Sequence, residues 1–244
     1  MKQILLNCDL GEGFSQDASL MPLIDSCSVA CGGHFGDDDT MKQTIDLALQ
    51  HNVNIGAHPS FPDPTHFGRK PYYLTDIDPI LLKDSLTEQI LKMKELTEQA
   101  GSQLHHIKAH GALYNLIVSD EPIANFFLNL IESLDLNVPI YTTCNARIVS
   151  LASQRNEIEF ISEAFADRAY QSDGKLVSRN QSNALIQEPI RAWEQVKNIA
   201  LQERALTIDN QWIDIQAETF CVHGDTEHAL SIVEFIRNQI NQIT

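Results

Sequence analysis

Asn7-Cys8-Asp9-Leu10-Gly11-Glu12-Gly13 sets two carboxylates three residues apart in a glycine-flanked turn. Glycine lets a backbone pass close to a ligand. One carboxylate can then serve as general base, while the other orients it or holds a substrate ammonium. A polar loop with an N-capping Asp is the plain alternative. Ala30-Cys31-Gly32-Gly33-His34-Phe35-Gly36-Asp37 wraps His34 in a glycine-rich turn whose amides can cradle an anion at a helix start. It is neither GxGxxG nor a Walker A loop, so it lends nothing to nucleotide binding, and a tight strand-to-helix connection also explains it. His58 ends an apolar run beside Pro59, which restricts the backbone there, and Arg69 in the following loop can clamp a carboxylate. His51, His66 and His228 read as surface residues; His105 and His106 fit either reading.

Farther along, Lys108 and His110 are two residues apart and share one side if the strand persists. A lysine at the inner end of a strand is costly to desolvate unless a carboxylate faces it. It can stabilise an oxyanion while His110 moves a proton. Asn115 closes this segment as a candidate substrate contact. Asp167 and Arg168 are adjacent, for which an exposed ion pair of small worth is the plain alternative. Arg179 follows in a long loop. His223 and Asp225 complete the set, with Asp225 placed to orient a histidine or to cap the last helix. Cys8 and Cys221 lie within apolar runs and read as core residues rather than nucleophiles. Asp9, His34 and His58 also form an Asp-His-His set suited to a hydrolytic zinc site, although only the fold can bring them together.

These residues need elements that aim them at one point. Apolar runs fall at 4–8, 28–31, 53–57, 104–109, 138–142, 159–165 and 213–222. Helical patterns follow at 39–51, 79–100, 121–134, 146–155, 189–203 and 226–242, with Asp37–Asp39 as N-cap candidates and Gly101 as a C-terminal cap. Strands alternating with helices predict a parallel sheet, and no Pro/Gly/Ser-rich linker divides the chain, so residues 1–244 read as one domain. Six of the seven runs end in ionisable residues. An open sheet holds its outer strand ends too far apart to act together, whereas a barrel gathers all of them at one mouth. The predicted fold is therefore a distorted seven-stranded TIM-like (β/α) barrel.

Composition narrows the partners. The 244 residues carry 33 acidic and 17 basic side chains, a formal charge of −16, which disfavours nucleic acid and anionic membrane surfaces. No apolar stretch approaches the roughly 20 residues of a membrane span. The start lacks the pattern of a signal peptide. Five scattered cysteines without a CxxC pair fit reduced thiols, so a cytoplasmic location is expected.

Taken in order, NCDLGEGF, ACGGHFGD, IGAHPSFPD, FGRK, KAHGALYN, EAFADRAY, LVSR and CVHGD resemble the LamB/YcsF family, whose members are also called the A subunit of 5-oxoprolinase. The likeness runs from Asn7 to Asp225. It departs at Gly33 and Phe35, where the family more often has Phe and Ala, and at Ala109, usually Pro; no ionisable group is lost. The resemblance implies a barrel similar to the glycoside hydrolase/deacetylase superfamily. It also implies ATP-dependent opening of 5-oxo-L-proline (pyroglutamate) to L-glutamate, with 5-oxoprolinase subunits B and C as partners. The catalytic set expected on this reading is Asp9, Glu12, Lys108, His110, Asp167, Arg168, His223 and Asp225, with His34, His58, Arg69, Asn115 and Arg179 binding substrate. ATP serves the complex, and this chain shows no recognisable phosphate-binding loop. Two other readings remain open. One is a metal-dependent amide hydrolase using Asp9, His34 and His58. The other is a non-catalytic binder, which would line its pocket with more than the 7% aromatics found here.

Overall fold

Alternating inward polar and outward apolar residues explain how a short strand can both build a core and carry chemistry. In the computed structural model, which describes residues 3–153, 155 and 158–243, seven parallel strands close into a barrel. They are β1 (Leu5–Leu10), β2 (Ser26–Ala30), β3 (Asn54–His58), β4 (His106–Ile107), β5 (Ile140–Thr142), β6 (Phe160–Phe165) and, after an excursion, β9 (Thr219–His223). β1 lies between β2 and β9, and β6 pairs with β9 to complete the ring. The excursion is an antiparallel hairpin of β7 (Arg204–Leu206) and β8 (Trp212–Asp214). The helices are α1 (Asp17–Leu20), α2 (Asp38–His51), α3 (Pro79–Gln99), α4 (Gly111–Ser119), α5 (Glu121–Leu134), α6 (Arg147–Ala152), α7 (Pro189–Gln202) and α8 (Ala229–Ile243).

The helices form because their apolar residues recur on one face and their ends are capped. On α3, Leu82, Leu86, Ile90 and Met93 are fully buried, each stabilising the fold by about 1.5–3 kcal/mol relative to exposure. Asp37 caps α2 through Thr40, and Gly101 follows α3 in the left-handed conformation, both as predicted. Among the described residues no helix is long and apolar enough to cross a membrane.

Inside the barrel the side chains stack in layers, as such barrels require. His106 sits low, hydrogen-bonded to Ser28 and stacked on Tyr141 with ring centroids 3.8 Å apart. Gly56 makes room for it, since a Cβ there would meet the imidazole at 2.2 Å. His106 is thus an interior packing residue. Above it lie the groups described below.

Three predicted elements change and one is new. The run 213–222 is two strands, because its first part pairs with β7 and Ile215–Glu218 then crosses to the barrel, where its second part pairs with β1 and β6. The run 104–109 keeps ladder pairing only at His106–Ile107. Residues 111–119, where no helix is predicted, form α4. The helix predicted over 146–155 is α6, Arg147–Ala152, and Gln154 lies outside the described residues.

Candidate active site

At the floor of the mouth is Lys108. Although β4 has ended, the chain stays alongside β3: Lys108 N–H donates to the Ala57 carbonyl at 2.9 Å and His110 N–H to that of Pro59 at 2.8 Å. The fully buried ammonium lies 2.9 Å from Asp9 Oδ1 and 2.8 Å from Glu163 Oε1. It also donates to Asn7 Oδ1 at 3.2 Å and Cys221 Sγ at 3.1 Å. Its neighbours meet because Asn7 and Asp9 share one face of β1 while Cys221 and Glu163 come from β9 and β6. Burial opposes the charge on Lys108, but Asp9, Cys221 and Glu163 outweigh it and hold the ammonium protonated well above the usual range. Burial likewise pushes Asp9 up, yet His58, Lys108 and His223 together draw its carboxyl well below the usual value. For Glu163 burial prevails over Lys108, and its pKa is raised. The floor thus pairs one firmly ionised carboxylate with one that is harder to ionise.

On one side of this floor stands a histidine cluster around Glu12. Gly11, at φ +72°, turns the chain after β1 and brings Glu12 back over the mouth. Glu12 Oε1 lies 2.9 Å from His34 Nε2 and 3.2 Å from His110 Nδ1. His58 Nε2 lies 3.5 Å from Asp9 Oδ2. Burial opposes ionisation of Glu12, but the imidazoles of His110 and His34 beside it lower its pKa well below the ordinary value. Burial pushes His58 down to about 3, so it is neutral at physiological pH.

The opposite side carries Asp167, which accepts from His223 N–H at 3.0 Å and lies 3.0 Å from His223 Nδ1. Arg168 turns away from Asp167 and donates to the Val177 carbonyl at 2.6 Å, while its buried Nε has no partner among the described residues. At the rim, Asp225 Oδ2 takes Arg179 at 2.7 Å and also Arg69. A cavity of about 480 Å³ opens between the two sides, within the size range of small-molecule sites. All the sequence-predicted site residues line it except His34 and Asp167, which stand behind its wall.

The LamB/YcsF family profile matches residues 4–244. The chain belongs to the LamB/YcsF family. A Tolumonas auensis protein, named as the A subunit of 5-oxoprolinase, is 35% identical over 247 residues, covering 99% of this chain and 97% of the relative. A Bacillus cereus protein of the same name is 38% identical over 241 residues, covering 97% and 94%. The crystal structure of a lactam utilization protein from Thermus thermophilus superposes with a TM-score of 0.90 at 27% identity, covering 99% of this chain and 97% of that one. A putative cellobiose-phosphate cleavage protein of Enterococcus faecalis shares the fold alone, at a TM-score of 0.58 and 11% identity over 99% and 93% of the two chains.

In this LamB/YcsF chain several residue-level expectations change. Of the Asp9-His34-His58 set, His58 Nε2 reaches Asp9 at 3.5 Å while His34 Nε2 meets Glu12 at 2.9 Å. Trios of donor atoms that lie within 4.8 Å of one another include Glu12–His34–His110, Asp9–Cys221–His223 and Glu12–His58–His110. Asp167 and Arg168 are not an exposed ion pair, since both are buried and point to different partners. Asp225 neither orients His223 nor caps the last helix; α8 starts at Ala229 and the carboxylate serves two arginines. Lys108 and His110 share the mouth without sharing a strand, because His110 is the N-cap residue of α4. Glu163 and Asn7 are additions. The signal for Glu163 is an acid two positions before the inward Phe165 of an apolar run. Cys221 is buried as expected, but it faces the ammonium of Lys108.

Proposed function

We propose that this chain opens the ring of 5-oxo-L-proline to give L-glutamate, as one component of an ATP-hydrolysing 5-oxoprolinase that also needs subunits B and C. The observation that carries the reading is the convergence of Asp9, Lys108 and Arg168 on one cavity, in a family whose relatives bear the 5-oxoprolinase name. The lactam carries a carboxylate, and Arg69 and Arg179 at the rim are suited to hold it. Its amide carbon is unreactive until ATP, used by the complex, phosphorylates the lactam oxygen. Water then adds to that carbon as Asp9 takes its proton, with Glu12 the alternative base. Lys108 and Arg168 stabilise negative charge on oxygen. The C–N bond breaks, His110 or His223 delivers the proton to nitrogen, and a second water releases phosphate.

The test measures glutamate from 5-oxoproline with this chain alone, with subunits B and C, and with both plus ATP. Glutamate is expected only in the complete mixture. Its absence there, while another member of the family works beside the same partners, overturns the reading.

A further inference from the structure

Two buried histidines turn ring nitrogens toward each other and toward Glu12. His58 Nδ1 lies 2.8 Å from the Lys108 carbonyl, and His110 Nε2 lies 3.0 Å from the Phe67 carbonyl. A carbonyl only accepts, so both of these nitrogens carry the hydrogen. In neutral rings His58 Nε2 and His110 Nδ1 then present lone pairs, and they stand 3.0 Å apart. Glu12 Oε1, another acceptor, lies 3.2 Å from His110 Nδ1 and 3.8 Å from His58 Nε2. Three lone-pair donors therefore crowd one point. His34 Nδ1 lies 3.1 Å from the Ser60 hydroxyl, which donates to the Phe61 carbonyl at 3.0 Å, and His34 Nε2 lies 2.9 Å from Glu12 Oε1.

We propose that Glu12 Oε1, His58 Nε2 and His110 Nδ1 are the ligands of one divalent cation of the zinc type. Two imidazoles and a carboxylate with open positions are an ordinary donor set for such an ion. Donors 3.0, 3.2 and 3.8 Å apart form a triangle that an ion with bonds of about 2.1 Å can cap. The two rings are 84° apart, so one ion can lie in both ring planes. His34 is excluded from the set, since its ring lies parallel to that of His110 at 3.7 Å and shares no in-plane point with it. Anchoring the distal N–H to a backbone carbonyl is how metal-bound histidines are oriented. The alternative trio is already engaged: Cys221 and Asp9 face Lys108, and His223 faces Asp167. This set retains His58 from the metal site expected by sequence and replaces Asp9 and His34 with Glu12 and His110.

The inference rests on ligand geometry and not on lactam opening, so the two readings fail separately; with Glu12 and His110 on the ion, Asp9 is the base and His223 the proton donor of the proposed reaction. The metal-stripped full chain is titrated with Co²⁺, followed by visible absorption, and with Zn²⁺ by calorimetry. One ion per chain is expected, with His58→Ala and His110→Ala each weakening binding on the order of 100-fold or more, and His34→Ala by about 10-fold. X-ray absorption of the zinc-loaded wild type reads the ligands without any variant and should find two imidazoles and no sulfur. Failure of the folded, stripped chain to bind either ion overturns the site. So does a sulfur neighbour at about 2.3 Å, which assigns the ion to Cys221. Unchanged affinity in both folded histidine variants does the same.

Discussion

The floor and the rim of the barrel mouth both hold ion pairs, but they hold them differently. At the floor, Lys108, Asp9 and Glu163 are side chains only 2%, 8% and 0% exposed, fixed by three different segments of the barrel wall. At the rim, Arg69 and Arg179 are 42% and 28% exposed, and they reach Asp225 from loops. Buried charges interact strongly but are costly to desolvate, so removing one leaves the others stranded. Rim charges keep much of their water and are screened by salt. On the proposed function, the contrast gives the rigid constellation to the reacting atoms and the adjustable set to substrate capture.

Breaking the floor should have the largest effect. Lys108→Met leaves Asp9 and Glu163 facing each other without the ammonium, and a loss of about 3–5 kcal/mol is expected in denaturant unfolding. Adding Glu163→Gln to that variant should recover part of the loss, because one stranded carboxylate disappears with it. If the double variant is no more stable than Lys108→Met alone, the floor charges are not coupled as described. Asp9→Asn keeps the shape of the floor while removing the proposed base. Turnover by the complete enzyme should then fall by about 10²–10⁴. A rate within a few-fold of wild type would move the base elsewhere.

The same contrast explains what is legible in the sequence. The barrel follows from strand–helix alternation and from polar residues collecting at the ends of the apolar runs, which is why Asp9, His58, Lys108 and His223 can be assigned to one mouth. Glu163 is harder, because an acid inside a strand has no partner in its own neighbourhood; Lys108 lies 55 residues earlier in the chain. The arginines of Asp225 stand 156 and 46 residues away, so no local pattern announces them. α4 is hidden because Gly111 opens it immediately after an extended segment, at φ +54° and against the Gly68 carbonyl, where any Cβ would lie 2.8 Å from that oxygen. The run 213–222 reads as continuous because its apolar residues span a break that only the tertiary crossing imposes. Local chemistry is legible, and long-range pairing is not.

Between floor and rim lies Asp167, a buried acid whose partners are the backbone and ring of His223. Burial raises its pKa, but His223 outweighs this and the folded value lies below the ordinary one. The stabilisation it contributes is therefore complete above the unfolded carboxyl pKa of about 3.9, and it is lost as pH falls through the lower folded value. Asp167→Asn should lower stability by about 1.5–3 kcal/mol at neutral pH. Melting curves taken from neutral pH down to about pH 2 should show the difference from wild type shrinking toward the acid end. A constant gap would mean that His223 is held by shape rather than by charge.

The smallest structural effect is expected at the rim, where it sharpens the comparison most. Arg69→Ala removes one of the two guanidiniums on Asp225 and leaves Arg179 in place. Because Arg69 is well exposed, stability should change by less than about 1 kcal/mol, and less still in high salt. Substrate capture should nevertheless suffer, since a guanidinium at the cavity edge can hold a carboxylate in the ground state and the transition state alike. Uniform binding of that kind appears as a raised KM with kcat little changed. If kcat falls instead while KM holds, Arg69 acts on the reacting atoms, and the boundary between floor and rim has been drawn in the wrong place.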